Sequence, residues 1–452
     1  MNAEPPTTRF QMEHQPRRPG YARRYSMEPT GDFDLGAKQP SIGEVFTPRS
    51  PDVNQKTYVN RPTLEDALGV GLRSSLHLVI SGQSGSGKTW LYRYALEKSG
   101  VHFEVINLAS VSANSFQVAF QHFEARAKQT RKTQYKEKKQ VRGNAIVAHG
   151  QIETESTFET LEQCHFFRCL KQIKASSKKG KHCCVVFDNL ESIVDDPSQM
   201  KELADYLILL DDPEYSQFGV QVVLVGVPDG IRDYFRNVAN MESVANRLRE
   251  LPTVSRLSSS QVAELVGRGF RELGIQLGSD SEGQQKILTH ISFVTDGLPQ
   301  RVHEYCFELA EIAKRSGVVS VSDLLTADRR WLKSSLMQAY ETVVGSMNRR
   351  NRPNGKRNQV LLALGNIDTD EFETQDVNEA VVAAFYGQAH GALPFNSSGP
   401  LRELTSQKNP ILIRGDRGHT FRFADPRYRM AIRACLRKEP PLDVIALDAD
   451  VV

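Results

Sequence analysis

The sequence predicts an α/β core of parallel strands, a helical segment after it, and a C-terminal module with the element order of a winged helix. Three stretches carry that expectation. Residues 76–95, LHLVISGQSGSGKTWLYRYA, run from an apolar strand through a glycine-rich loop straight into a helix. Residues 181–193, KHCCVVFDNLESI, hold an apolar run from Cys183 to Phe187 that ends in Asp188, as a central parallel strand buried on both faces does. In residues 411–425, ILIRGDRGHTFRFAD, two alternating strands flank Asp416, Arg417 and Gly418, which is hairpin chemistry.

The loop reads Gly82, Gln83, Ser84, Gly85, Ser86, Gly87, Lys88, Thr89, followed by Trp90, and matches GxxxxGK[ST] at every fixed position. Glycines let the backbone turn its N–H groups onto phosphate oxygens, and the helix that follows presents its positive dipole end to the same anion. This is a P-loop, so ATP is the expected ligand. Lys88 is placed to reach the β- and γ-phosphates, and the Thr89 hydroxyl to bind Mg²⁺. Asp188, delivered to the C-terminal edge of the sheet by its apolar strand, is the expected second group for Mg²⁺, opposite Thr89.

A chain of 452 residues, 25% charged and 39% hydrophobic, has room for two or three domains. Its net charge of +3 argues for no nucleic-acid partner without local basic patches. No apolar run approaches the roughly 20 residues that cross a bilayer, and the first residues lack the apolar core of a signal peptide, so a cytoplasmic protein is expected. Cys183 and Cys184 fall inside an apolar strand, while Cys164 and Cys169 lie in a helical stretch; they read as reduced core residues. Cys164, His165, Cys169 and His182 match no standard zinc spacing.

In chain order, residues 1–56 read as a disordered arm rich in Pro, Arg, Ser and Gly. The core spans 57–257, with Leu64, Ala67, Leu68 and Leu72 at helical spacing just before the P-loop strand. Within it, residues 125–143 carry eight Lys or Arg against the single Glu137, either a solvated basic loop or a surface for phosphate. Residues 258–330 read as a helical lid, with a serine among 258–260 as cap and Pro299 at an early helix position. From 331 to 440 one long helix, a basic linker, three short helices and the hairpin follow. The third short helix and the wing offer Arg402, Lys408, Arg414 and Arg417 to DNA, and the acidic residues 441–452 read as a loose tail.

With the P-loop, the Asp188 strand, the pair Asn246-Arg247, Gly297-Leu298-Pro299-Gln300-Arg301 and the winged-helix order in sequence, the chain resembles the AAA+/STAND ATPases. It looks most like origin-recognition-type AAA+ proteins and their bacterial relatives. The resemblance implies a five-stranded parallel sheet in the order 5-1-4-3-2, nucleotide-controlled self-assembly and DNA binding. By the same resemblance Arg247, with Arg249 as second choice, is an arginine finger for a neighbouring subunit's γ-phosphate. Arg61, with Val59 and Asn60, and Pro299 lie beside the base, and Arg301 stands next to Gln300, which occupies the lid's sensor position. Two positions depart from the pattern. Asn189 replaces the catalytic glutamate that follows the aspartate in many AAA+ enzymes, leaving Glu191 as the candidate base, and the strand ending Gly226-Val227-Pro228 offers only Asp229 as a polar sensor.

Two functions remain open from sequence. One is an ATP-binding, slowly hydrolysing switch that couples nucleotide state to assembly and DNA. The other is a STAND-like signalling or scaffold ATPase whose winged helix binds protein. A small-molecule kinase would leave the C-terminal third unexplained.

Overall fold

Five strands form the central sheet: β1 (His77–Ser81), β2 (His102–Asn107), β3 (Cys183–Asp188), β4 (Val220–Val227) and β5 (Leu248–Glu250). All neighbours are parallel and the order is β2-β3-β4-β1-β5, as the resemblance implied. The structure is a computed structural model and describes residues 39–112, 115–126, 164–178, 180–227, 242–348, 356–387, 395–415, 417–440 and 442–450. Most of the expected arm (1–38), the basic insertion from 127 on, Asp229 and Asp416 lie outside the described residues.

The apolar run of β3 alternates between two cores. Cys183, Val185 and Phe187 pack with Phe116, Phe120 and Phe166, while Cys184 and Val186 pack with Leu68, Tyr92 and Leu96 on the other face. Both faces are covered by helices, so the strand has no polar side and its first charged group appears at its end, Asp188. The described cysteines are all free, and all but Cys164 are buried.

The lid contains helices Ser259–Glu272, Ser281–Val294 and Pro299–Ala313, with two short parallel strands β6 (Gln276–Leu277) and β7 (Val318–Val319). Ser258 caps the first: its hydroxyl accepts from Gln261 N, and Gln261 Oε1 accepts from Ser258 N. Beyond it, the single long helix expected near 331–347 is two helices, Asp323–Ser335 and Met337–Gly345, broken at Leu336, whose side chain enters the core.

The C-terminal module is a winged helix. Helix Lys356–Gly365 is followed by strand β8 (Glu371–Phe372), helices Thr374–Phe385 and Ser398–Ser406, and the hairpin of β9 (Leu412–Arg414) and β10 (Phe421–Phe423), the three strands forming a sheet in the order β8-β10-β9. Its hydrophobic core is continuous with that of the lid: Leu309 and Trp331 belong to the same cluster as Leu361, Ile432 and Cys435. Lid and winged helix therefore form one packed body.

Two terminal segments differ from their sequence reading. Residues 40–56, assigned to the arm, hold a helix Ile42–Val45 whose Ile42 and Val45, with Phe46, are buried in the lid core. The acidic end is also tied down. Strand β11 (Leu436–Glu439) pairs antiparallel with β12 (Asp443–Ala446), the Tyr340 hydroxyl donates to Leu447 O at 3.0 Å, and Ala449 is buried. In both cases a few apolar side chains outweigh the polar average that made the stretch look loose.

Candidate functional site

The P-loop lies where β1 passes into the helix Lys88–Lys98, at the C-terminal edge of the parallel sheet. Gly82, Gly85 and Gly87 all have positive φ. At Gly82 the need is plain, since a Cβ there would lie 2.5 Å from Val254 O. The helix starts at Gly87 without a side-chain cap, so its first N–H groups are left for another acceptor. Lys88 bends back into the loop and donates from Nζ to Gly82 O (2.7 Å) and Gln83 O (3.1 Å). Burial lowers the pKa of Lys88, and the carboxylates of Glu191 and Asp188 pull it back up. Ser86 is fully buried and its hydroxyl has no hydrogen-bond partner. Open N–H groups, an orphaned hydroxyl and a lysine that can only satisfy itself on loop carbonyls together fit a phosphate chain.

Opposite the loop, Asp188 ends β3 beside Asn107, its register partner on β2. Thr89 Oγ1 donates to Asp188 Oδ2 at 3.3 Å, and the Tyr92 hydroxyl donates to the same oxygen at 3.1 Å. Burial and the Asp188 charge push the Tyr92 phenol far up, which keeps it a donor. A threonine hydroxyl and a carboxylate facing each other beside a phosphate loop are hard oxygen donors and fit Mg²⁺. Asn189 holds φ 64° and accepts the turn in the left-handed region; its side chain donates to Asn107 Oδ1 at 2.9 Å. Glu191 follows on a short 3₁₀ turn, Leu190–Ser192. It opens to solvent in the cleft yet is crowded by protein, and this desolvation raises its carboxyl pKa, with Lys88 opposing and Asp188 adding.

A cleft of about 890 Å³ runs across these groups. Its far wall is the lid: Pro299 comes within 3.6 Å of where a Cβ on Gly87 would be, and Gln300 N donates to Gly85 O at 3.3 Å. The other wall is the segment 47–51, fixed because Trp90 Nε1 donates to Ser50 O at 2.8 Å and Thr47 N donates to His303 Nδ1 at 3.1 Å.

The structure thus brings Gly85, Gly87, Lys88, Thr89, Trp90, Asp188, Glu191, Pro299 and Gln300 to one cleft. Other expected residues stand elsewhere. Arg61 is buried beside Gly87 and donates from Nη1 to Ser255 O at 3.1 Å, but neither it nor Val59 lines the cleft. Arg301 turns to Glu304 at 2.8 Å and leaves the cleft to Gln300. Arg247 pairs with Asp211 at 2.6 Å, and its carbonyl accepts from His77 N at the start of β1. It therefore lies at the opposite end of the sheet from its own P-loop. Arg402, Lys408, Arg414 and Arg417 are all exposed on the winged helix, with Arg414 stacked 4.5 Å from the Phe421 ring centre. Tyr92, Asn107, His303 and the 47–51 wall escaped sequence reading. Tyr92 and Asn107 carried a signal, as the residue one turn after Thr89 and the polar residue ending β2; the others carried none.

Fold and loop together define a P-loop nucleotide-binding protein with a helical lid and a winged helix. Residues 72–235 match the family model described as AAA domain, so the core is an AAA-family P-loop ATPase domain. No curated protein matches the chain. Among solved structures, a Walker-type ATPase of Pyrococcus abyssi is similar at 17% identity and a TM-score of 0.50, over 86% of this chain and 99% of that one. Cdc6p of Pyrobaculum aerophilum is similar at 15% identity and a TM-score of 0.42, over 87% and 97%. The ORC1 protein of Aeropyrum pernix, solved in complex with DNA, is similar at 16% identity and 0.38, over 82% and 90%.

Proposed function

We propose that the protein is an ATP-driven switch that binds MgATP at the P-loop, hydrolyses it slowly, and moves its lid and winged helix as one body to control assembly and DNA binding. One observation carries this reading: the turn that touches the P-loop is built into the winged helix. Asp296, directly before Gly297-Leu298-Pro299, is buried and held by Arg256 Nη1 (3.2 Å), Arg433 Nη1 (2.9 Å) and Arg429 Nε (3.4 Å). Arg429 and Arg433 lie on the helix Pro426–Cys435 that closes the winged-helix module, and reach on to Asp370 and Asp368. A phosphate entering the loop competes with Gln300 for the Gly85 region, and any shift of that turn carries the winged helix with it.

In the mechanism, Lys88 leaves its loop carbonyls for the phosphates; Thr89 and Asp188 would hold Mg²⁺, which would supply positive charge to offset that of the phosphates. Glu191 accepts a proton from water as the water oxygen bonds to the γ-phosphorus and the bond from phosphorus to the bridging oxygen breaks, giving ADP and phosphate. Arg247 supports turnover only where a second subunit offers it, which favours slow hydrolysis in the monomer. The exposed Arg402, Lys408, Arg414 and Arg417 are the proposed DNA contacts.

Lys88→Ala tests the first step. Removing a charge-assisted donor is expected to weaken MgATP binding by about 30- to 150-fold, from roughly 2–3 kcal/mol. Unchanged affinity by equilibrium titration would remove the site from the account. DNA binding at low salt, measured with MgATP present, tests the second; its absence there, with capture of a protein by the winged helix instead, favours the signalling reading.

A further inference from the structure

The end of β4 poses a problem that sequence alone leaves open: Gly226 and Val227 offer no polar side chain toward the cleft. The β1–β4 pairing explains what the glycine does. Ile80 pairs with Val225 but Ser81 pairs with Val227, so Gly226 is an extra residue bulged out of the ladder. Such bulges re-aim groups beside active sites. Gly226 has φ +85°, and a Cβ built on it would lie within 2.9 Å of Glu191 Cδ and nearer still to Oε2. The same Cβ would stand 3.1 Å from the Asn189 Cα. Asn189 in its left-handed turn sends the chain back across the strand end, and Glu191 crosses over the bare backbone of Gly226 to face Lys88 and Asp188 in the cleft.

We propose that Gly226 is a positioning residue for ATP hydrolysis: its bulge and missing side chain admit the Glu191 carboxylate to the end of β4, where Glu191 supplies the polar group that this strand lacks. The inference rests on the reading of Glu191 as the base. A carboxylate two residues downstream of the usual place after Asp188 reaches the γ-phosphate side because the strand beside it has been cleared. Glycine is required twice over, for its φ and for the space.

Four full-length proteins decide it: wild type, Gly226→Ala, Glu191→Ala and the double variant, each read for MgATP affinity and for phosphate release. Gly226→Ala is expected to keep MgATP affinity within about twofold and to lose turnover by about tenfold or more, within the range a positioned base supplies. Glu191→Ala should lose turnover likewise, and adding Gly226→Ala to it should cost no further turnover, since the methyl then displaces no carboxylate; the Asn189 contact and the φ of +85° that remain bear on folding. If Gly226→Ala does not fold, Glu191→Asp withdraws the carboxylate by one methylene and should show the same loss at unchanged affinity. Wild-type turnover in Gly226→Ala with turnover lost in Glu191→Ala overturns this proposal alone. An added loss in the double variant equal to that of Gly226→Ala by itself also overturns it. A protein that binds MgATP while Glu191→Ala turns over like wild type overturns the base assignment and this proposal together.

Discussion

Asp296→Asn perturbs the joint between nucleotide turn and winged helix with little change of shape. Asparagine keeps the volume and tolerates the φ of +56° found there, so backbone strain is not introduced. The substitution removes the carboxylate from Arg429 and Arg433, whose side chains are each 2% exposed. Breaking a buried ion pair by removing one partner costs about 3–5 kcal/mol. Here Asp370 and Asp368 still reach the same two arginines at 2.6 and 2.8 Å, but both are largely exposed. They offset part of the loss, which places the expected cost at about 2–3 kcal/mol, or about 30- to 150-fold in an opening equilibrium. Hydrogen exchange reads it directly. Amides of the helix Pro426–Cys435 should lose protection by that factor, while those of β3 and β4 stay as in wild type. Protection of the C-terminal helix unchanged within about threefold would refute the argument that Asp296 holds lid and winged helix together.

Acidification should loosen the 47–51 wall. His303 is buried, and that burial depresses its pKa to about 4; its Nδ1 accepts from Thr47 N. A folded pKa below the unfolded value means that the unfolded chain binds the extra proton. The His303 contribution is thus complete above about pH 6.5 and is lost as pH falls toward about 4, by up to about 3 kcal/mol. Urea unfolding against pH should show that loss, reduced in His303→Gln; identical pH slopes in the two proteins would contradict it. On the winged helix, replacing Arg402, Arg414 and Arg417 together with alanine should flatten the slope of log affinity for DNA against log salt by about 3. An unchanged slope would place the DNA contact elsewhere.

What was legible in the sequence is what depends on neighbours in sequence. Gly82 to Thr89 declares itself because phosphate binding needs those residue types in consecutive positions, and Cys183 to Asp188 because a strand buried on both faces has no polar interruption. The sheet order followed from resemblance rather than from periodicity. Contacts between distant segments were not legible. Asp296 and Arg433 lie 137 residues apart, Thr47 and His303 256 apart, and nothing local marks either pair. The boundary expected between lid and winged helix at 330 and 331 follows a change of pattern, yet Leu309, Trp331 and Leu361 share one core across it. In sequence Gly226 marks only a strand end without a polar sensor; its bulged register with β1 and the Glu191 carboxylate beside it come from segments far apart in the chain.

The central claim is that nucleotide at the P-loop moves the lid and winged helix as one body. Spin labels on Lys201→Cys, in the core helix Pro197–Leu209, and Glu379→Cys, in the winged-helix helix Thr374–Phe385, report that motion, since both positions are exposed and five of the six native cysteines are buried. The distance distribution between them should differ between the nucleotide-free and MgATP-bound protein, and Lys88→Ala should hold the nucleotide-free distance at the same MgATP concentration. One distance in all states, with MgATP bound, would contradict the account.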